Sequence, residues 1–140
     1  MKKIILVFSI LLLVSCATPK TLDSKGLYEI LTEQSNGGGN IKFYEILTES
    51  NEITMLLNDP LLKDKIKQTD INTSNYVVLN MGEKNTGGYS IEVEKVEETD
   101  KNIIITVKEN SPGPDEMVMQ IITYPYTILK VNSKKEIIIK

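Results

Sequence analysis

Tyr89-Ser90-Ile91-Glu92-Val93-Glu94-Lys95-Val96 and Ile103-Ile104-Ile105-Thr106-Val107, separated by Asp100-Lys101-Asn102, decide the fold class of this chain. In the first segment Tyr89, Ile91 and Val93 alternate with Ser90, Glu92 and Glu94. In the second, Ile103, Ile105 and Val107 share one face. A period of two sends successive side chains to opposite faces of a strand, so each segment reads as a strand with one apolar and one wet face. The alternation slips at Lys95-Val96, which predicts a β-bulge. Asp100-Lys101-Asn102 predicts a tight turn.

Outward from this pair the chain keeps its β character. Tyr76 to Met81 is a mostly apolar run, and Gly82 to Gly88 is a turn. Asn110 to Asp115, with Ser111-Pro112-Gly113-Pro114, cannot form regular structure. Met117 to Thr123 and Tyr126 to Val131 read as strands broken at Tyr124-Pro125, and Ile137 to Ile139 as a last strand after the turn Asn132 to Lys135. Near the N-terminus, Leu27 to Glu33 and Ile41 to Glu49 read as two strands of one hairpin across the glycine-rich Gln34 to Asn40. They share an identical word, Tyr28-Glu29-Ile30-Leu31-Thr32-Glu33 and Tyr44-Glu45-Ile46-Leu47-Thr48-Glu49. One pair of copies is too few for a solenoid. A helix follows, with Ser50 as its expected N-cap and an Ile53, Leu56, Leu57 stripe. Pro60 ends it, and a second short helix is expected to carry Leu62 and Ile66. The sum is a mainly β chain: an antiparallel β-sandwich or partly open barrel of about eight short strands with one small helical insert.

The chain opens with Lys2-Lys3, an apolar run from Ile4 to Val14, and Ser15-Cys16. That is the order of an export signal, and the apolar core falls short of the about 20 residues a bilayer span needs. The pattern resembles a bacterial lipobox. That resemblance implies removal of residues 1–15, attachment of acyl chains such as palmitate at Cys16, and a protein held at a membrane of the cell envelope, outside the cytoplasm. A buried core helix, or a secreted leader with an incidental cysteine, are the alternatives. Ala17-Thr18-Pro19-Lys20 carries no acidic run, which favours a periplasm-facing anchor where an outer membrane exists. Residues 16–25 then form a lipidated tether, and 26–140 a single β-rich domain. Without Lys2 and Lys3 the net charge of −3 becomes about −5.

Composition excludes several chemistries. All 16 basic residues are lysine, and the chain has no histidine and a single cysteine. A mildly acidic domain without arginine is a poor match for nucleic acid. Without histidine there is no Ser-His-Asp or Cys-His catalysis and no imidazole metal ligand. With Cys16 acylated, no thiol remains for zinc or a disulfide. The acidic residues Glu92, Glu94, Glu97, Glu98 and Asp100 lack a calcium-loop spacing and read as the wet face of an antiparallel sheet. The expectation is a protein that is not an enzyme and needs no cofactor and no metal. A Ser/Lys hydrolase is the enzymatic alternative, and it requires a lysine of lowered pKa buried beside a serine.

The most distinctive stretch is Gly82-Glu83-Lys84-Asn85-Thr86-Gly87-Gly88-Tyr89-Ser90-Ile91, followed by Val107-Lys108-Glu109, Ser111-Pro112-Gly113-Pro114, Gln120 and Thr123-Tyr124-Pro125-Tyr126. This ordered set, over residues 76–131, resembles the C-terminal domain of the protease complex subunit PrcB family. It differs at Thr127, where many members carry histidine. The resemblance implies an exported, non-enzymatic β domain that contacts an envelope protease or another envelope protein. Thr86 to Tyr89 and Tyr124-Pro125-Tyr126 are also faintly similar to loops of the chagasin-like protease inhibitors. Glycine at 87 and 88 permits positive φ and close backbone approach, Thr86 can cap the turn, and tyrosine suits cores and interfaces alike. Thr86, Gly87, Gly88, Tyr89, Tyr124, Pro125 and Tyr126 are therefore the candidate binding residues. The alternative is an ordinary hairpin turn with Tyr89 packed inward, and a proline-broken strand edge at Tyr124 to Tyr126. Three functions stay open: a binding module, an inhibitor, and a structural envelope lipoprotein without a dedicated client.

Overall fold

In the computed structural model, which describes residues 26–140, two strands are covered on both faces: β3 (Asn75–Asn80) and β6 (Tyr126–Val131). They pair antiparallel at the centre of a four-stranded sheet, with β1 (Tyr28–Gln34) beyond β6 and β2 (Phe43–Leu47) beyond β3. A second sheet holds β4 (Ser90–Glu98), β5 (Asn102–Asn110) and β7 (Glu136–Ile139). The leader, Cys16 and the tether read at residues 1–25 lie outside the described residues.

Alternation along β3 and β6 distributes their side chains between two cores. Val77, Leu79, Leu129 and Val131 meet Ile91, Val96, Ile103, Ile105 and Ile137 of the second sheet. Tyr76 and Ile128, from the same two strands, meet Leu31, Leu47, Ile53, Leu62, Ile66 and Ile71 on the other side. The structure is thus a sandwich with a helical cap, and the continuous apolar run of β3 exists because neither face of that strand is wet. Buried Thr127 ties the two sheets together: its hydroxyl donates to the carbonyl of Ile91 at 2.6 Å.

Several expectations hold. The bulge falls between Val93 and Lys95, β4 and β5 are joined across the expected turn, and Glu92, Glu94 and Glu97 lie off the core, whereas Glu98, opposite buried Ile103, ends the strand on the Val96 face. Others are corrected. β1 and β2 do not form a hairpin; the identical words occupy opposite edges of one sheet. The glycine-rich loop crosses the ends of β6 and β3 instead of turning back, with the Gly38 amide donating to the carbonyl of Tyr124 at 2.9 Å and the Gly39 amide to Asn80 Oδ1 at 3.0 Å. A Cβ at Gly38 would overlap Asn80 Oδ1 and lie 2.8 Å from the Tyr124 carbonyl, so only glycine permits that path. The two Leu residues of the repeated word, Leu31 and Leu47, do the same job from opposite edges, both entering the core beneath the cap.

The strand expected at Met117–Thr123 is absent, which leaves seven. Both sides of β3 are already taken, and the segment bonds the loop before β4 only at the Lys84–Thr123 bridge and from Gly87 to Met119, short of a ladder. β7 runs parallel to β5, because the short connection after β6 crosses to the other sheet and does not fold back on its own. The helix α1 spans Ser50–Leu56 and its capping residue is Glu49, not Ser50. The Glu52 carboxylate accepts the amides of Thr48 and Glu49 at 3.2 and 3.1 Å, which satisfies two donors at the positive end of the helix. Pro60 opens a single turn and no second helix; Asp59 takes the amides of Leu61, Leu62 and Lys63. Leu62 and Ile66 are buried as expected.

A short 3-10 turn, Gln68–Asn72, carries Asp70 to Lys130 of β6, a largely covered ion pair at 2.8 Å. Burial by itself would raise the Asp70 carboxyl. The bond from Lys130 and the amide of Lys67 outweigh that and hold it below its ordinary value of 3.8. Nearby, the Tyr76 hydroxyl is buried with no hydrogen-bond partner among the described residues. Burial, then the charges of Asp70 and Glu29, push it up to about 12.

Two outcomes follow from this packing. Tyr76→Phe removes an unsatisfied buried group and should raise stability by about 1 kcal/mol in urea unfolding. A carboxyl whose folded pKa is depressed stabilises the fold above its unfolded value and loses that contribution as pH falls through the folded value. The unfolding midpoint of the natural protein should therefore drop as pH is lowered below 3.8. Asp70→Asn should be less stable at neutral pH, with Lys130 left unpaired, and should show a shallower acid limb.

Candidate functional site

Three connections meet at the end of the sandwich where β3 stops and β6 starts. They are the glycine-rich loop after β1, the segment 81–89 between β3 and β4, and the segment 111–125 between β5 and β6. Asn80, 1% exposed, holds the first of them. Its amide nitrogen donates to the carbonyls of Gly39 and Ile41 at 2.9 and 2.6 Å while its oxygen accepts from Gly39. A buried side-chain amide with donors and acceptor all used is a rigid staple between loop and strand. The sequence offered one sign of it: a polar residue closing an otherwise apolar strand.

The Thr86 to Tyr89 segment is a crossing between the two sheets, not a hairpin turn, since β3 and β4 belong to different sheets. Lys84 and Thr123 exchange backbone bonds at 2.8 and 2.9 Å, and the Thr123 hydroxyl donates to the Thr86 carbonyl at 2.8 Å. The Gly87 amide donates to the Met119 carbonyl at 2.9 Å. Of the two glycines only Gly88 has positive φ, +86°. A Cβ there would also lie 2.9 Å from a methyl of Val118 and 3.0 Å from the Pro112 ring, whereas at Gly87 the nearest atom would be 3.7 Å away. Gly88 is the saddle on which the segment 112–119 sits.

The two expected loops are brought together, but their tyrosines are half-buried. Tyr89 packs against the inter-sheet core with the Lys84 ammonium 5.5 Å above its ring. Tyr126 packs against the core under the cap, Pro125 is buried, and the Tyr124 hydroxyl donates to Glu83 at 3.0 Å, which raises its pKa. The exposed apolar side chains at this end come from the neighbouring segment: Met117 at 100%, Met119 at 67%, Ile121 at 48% and Ile122 at 54%. Ile41, on the glycine-rich loop, is 78% exposed. The apolar content of 117–123, which reads as a strand, conceals this exposure.

One further cluster bridges the sheets. Tyr44 of β2 donates its hydroxyl to Glu109 of β5, and Lys42 pairs with the same carboxylate at 2.5 Å. The Lys42 and Tyr44 bonds hold the Glu109 carboxyl below its ordinary value; burial, and then Glu109, raise the Tyr44 phenol. Buried Ser74 donates to Asn132 Oδ1, while Lys134 is occupied by the carbonyls of Thr48, Ile71 and Ser74. That is not the contact of a serine nucleophile with a lysine base. Among the described residues no cluster of acidic or thiol side chains could hold a metal ion, and no helix is long and apolar enough to cross a membrane.

No curated protein and no solved structure matches the chain. The family model described as PrcB C-terminal matches residues 75–132. That range runs from the first residue of β3 to just past β6 and includes both the Gly88 saddle and the exposed segment it carries. From β3 through β6 the chain is similar to the PrcB C-terminal family, over the stretch that carries the ordered motifs.

Proposed function

We propose that this protein is a membrane-anchored, non-enzymatic binding subunit of an envelope protease complex. Acyl chains on Cys16 hold it to the membrane, and the loop end of the sandwich makes the contact. The observation that supports this most is the run Met117 to Ile122. Four large apolar side chains stand in solvent on a segment pinned at both sides, within the stretch that matches the family. Exposed contiguous apolar surface on a folded domain marks an interaction site. The family's association with a protease complex supplies the class of partner. A pinned, extended, exposed segment also suits a substrate-like inhibitor, which is the second reading.

Cys16→Ser should move the protein from the membrane fraction to the soluble fraction of its own cells; unchanged membrane retention would remove the anchor. For the contact, chemical crosslinking in intact envelopes should recover a protease or its complex with the natural protein. Gly87→Ala, which meets only ordinary contacts, should keep that crosslink. Gly88→Ala, which displaces Val118 and Pro112, should weaken it several-fold with the β fold retained by circular dichroism. No reproducible partner in the natural protein would sink the binding-subunit reading, and potent inhibition of a purified protease by the protein alone would favour the second.

A further inference from the structure

The partner's chemistry can be read from the charge around the exposed segment. Between Lys108 and Lys130 the chain carries Glu109, Asp115 and Glu116 and not one of its 16 lysines. Asp115 and Glu116 directly precede Met117, and Glu83 lies on the adjoining loop, its carboxylate bonded to Tyr124. An apolar centre of methionine and isoleucine is thus bordered mainly by carboxylates; the adjoining loops add Lys42, which pairs with Glu109, and Lys84, which lies over the Tyr89 ring, fewer than the four acids. Glu116 also accepts the Gly113 amide at 3.0 Å, which fixes one of those charges beside the patch.

Three occupants compete for such a surface, and the observations separate them. An anionic bilayer repels a rim in which carboxylates outnumber lysines, since surface adsorption of apolar segments is helped by basic residues. The chain also enters the domain at the far end: Gly26 bonds Asn132, and Tyr28 pairs with Val131, whereas Gln34 at the loop end pairs with Tyr126. The seven residues of β1 put about 20 Å between the start of the described chain and the patch. A second copy, meeting the first about a twofold axis, would set the same carboxylates against each other. What remains is a different protein with an apolar ridge and a basic border. Methionine suits that use, because its unbranched, polarisable side chain adapts to the surface it meets.

Resting on the binding-subunit reading, we propose that Met117, Met119, Ile121 and Ile122 form a docking surface, at the end of the sandwich opposite Gly26, for an apolar protein segment flanked by lysine or arginine. The test uses the full chain held in phosphatidylcholine discs and two synthetic amphipathic helices with the same leucine face. One has a lysine polar face and the other a glutamate polar face. Fluorescence anisotropy should show the lysine peptide binding at least about tenfold more tightly, with the preference shrinking as salt is raised. Met119→Ser/Ile122→Ser should cost the lysine peptide a further tenfold or so, and the exposed positions make an intact fold expected, checked by an unchanged melting temperature.

Equal affinity for both peptides, or no effect of the double variant, overturns the proposal. So does flotation of the Cys16→Ser chain with phosphatidylglycerol vesicles that the double variant abolishes, which would assign the patch to lipid. A monomer–dimer equilibrium in sedimentation, lost in the double variant, would assign it to a second copy and likewise overturn it. The two readings fail separately. If the double variant still crosslinks the same envelope partner, the surface is wrong and the binding subunit stands. If the peptide preference holds but no envelope partner is recovered, the surface stands and the protease association falls.

Discussion

Every layer of this protein is hung on the antiparallel pair β3–β6. Because both strands are covered on both faces, they donate side chains to two cores at once. Val77, Leu79, Leu129 and Val131 close the sandwich, and Tyr76 and Ile128 receive the helical cap. A slip of one residue in that register would exchange the two sets and place groups shaped for one core in the other. The Thr127 bond to Ile91 and the Asp70–Lys130 pair reinforce β6 toward either side. The same two strands also set the loop end, since Asn80 and Tyr126, opposite each other in the ladder, are where the glycine-rich loop and the segment before β6 are fastened.

The loop end is built by backbone proximity more than by side-chain packing. Gly38 and Gly88 mark the two places where another segment comes too close for a Cβ. Around them, Asn80 and Thr123 convert loops into bonded layers. The consequence is an unusual division of labour. The distinctive Thr-Gly-Gly-Tyr motif is the support, half-buried and bonded inward, while the less distinctive Met117 to Ile122 carries the exposed apolar surface. A motif can be specific because of what it must let pass, and here what passes is the segment 112–119.

Exposure of that segment is paid for by the rest of the fold. Four large apolar residues in water contribute nothing to stability, and their like elsewhere in the chain, such as Ile91 and Ile105, are almost wholly buried. The acidic border and the distance from the chain's point of entry give the surface an orientation and a sign, two properties that a bare hydrophobic patch lacks.

Much was legible from the chain alone, because the signals were local. The period-two alternation of β4 and β5, the bulge near Lys95, and the turn at Asp100 to Asn102 follow from neighbouring residues. The ordered motifs marked the stretch similar to the family, and the absence of histidine with a single cysteine narrowed the chemistry. What the chain alone could not decide was which strand lies beside which. The identical words at Tyr28 and Tyr44 suggested a hairpin, yet two other strands separate them, since pairing is settled by burial summed over the whole sheet and not by similarity or nearness in sequence. For the same reason Met117 to Thr123 has the apolar content of a strand and is not one: its backbone meets the loop at Lys84 to Gly87 through one bridge and one further bond, too few for a ladder.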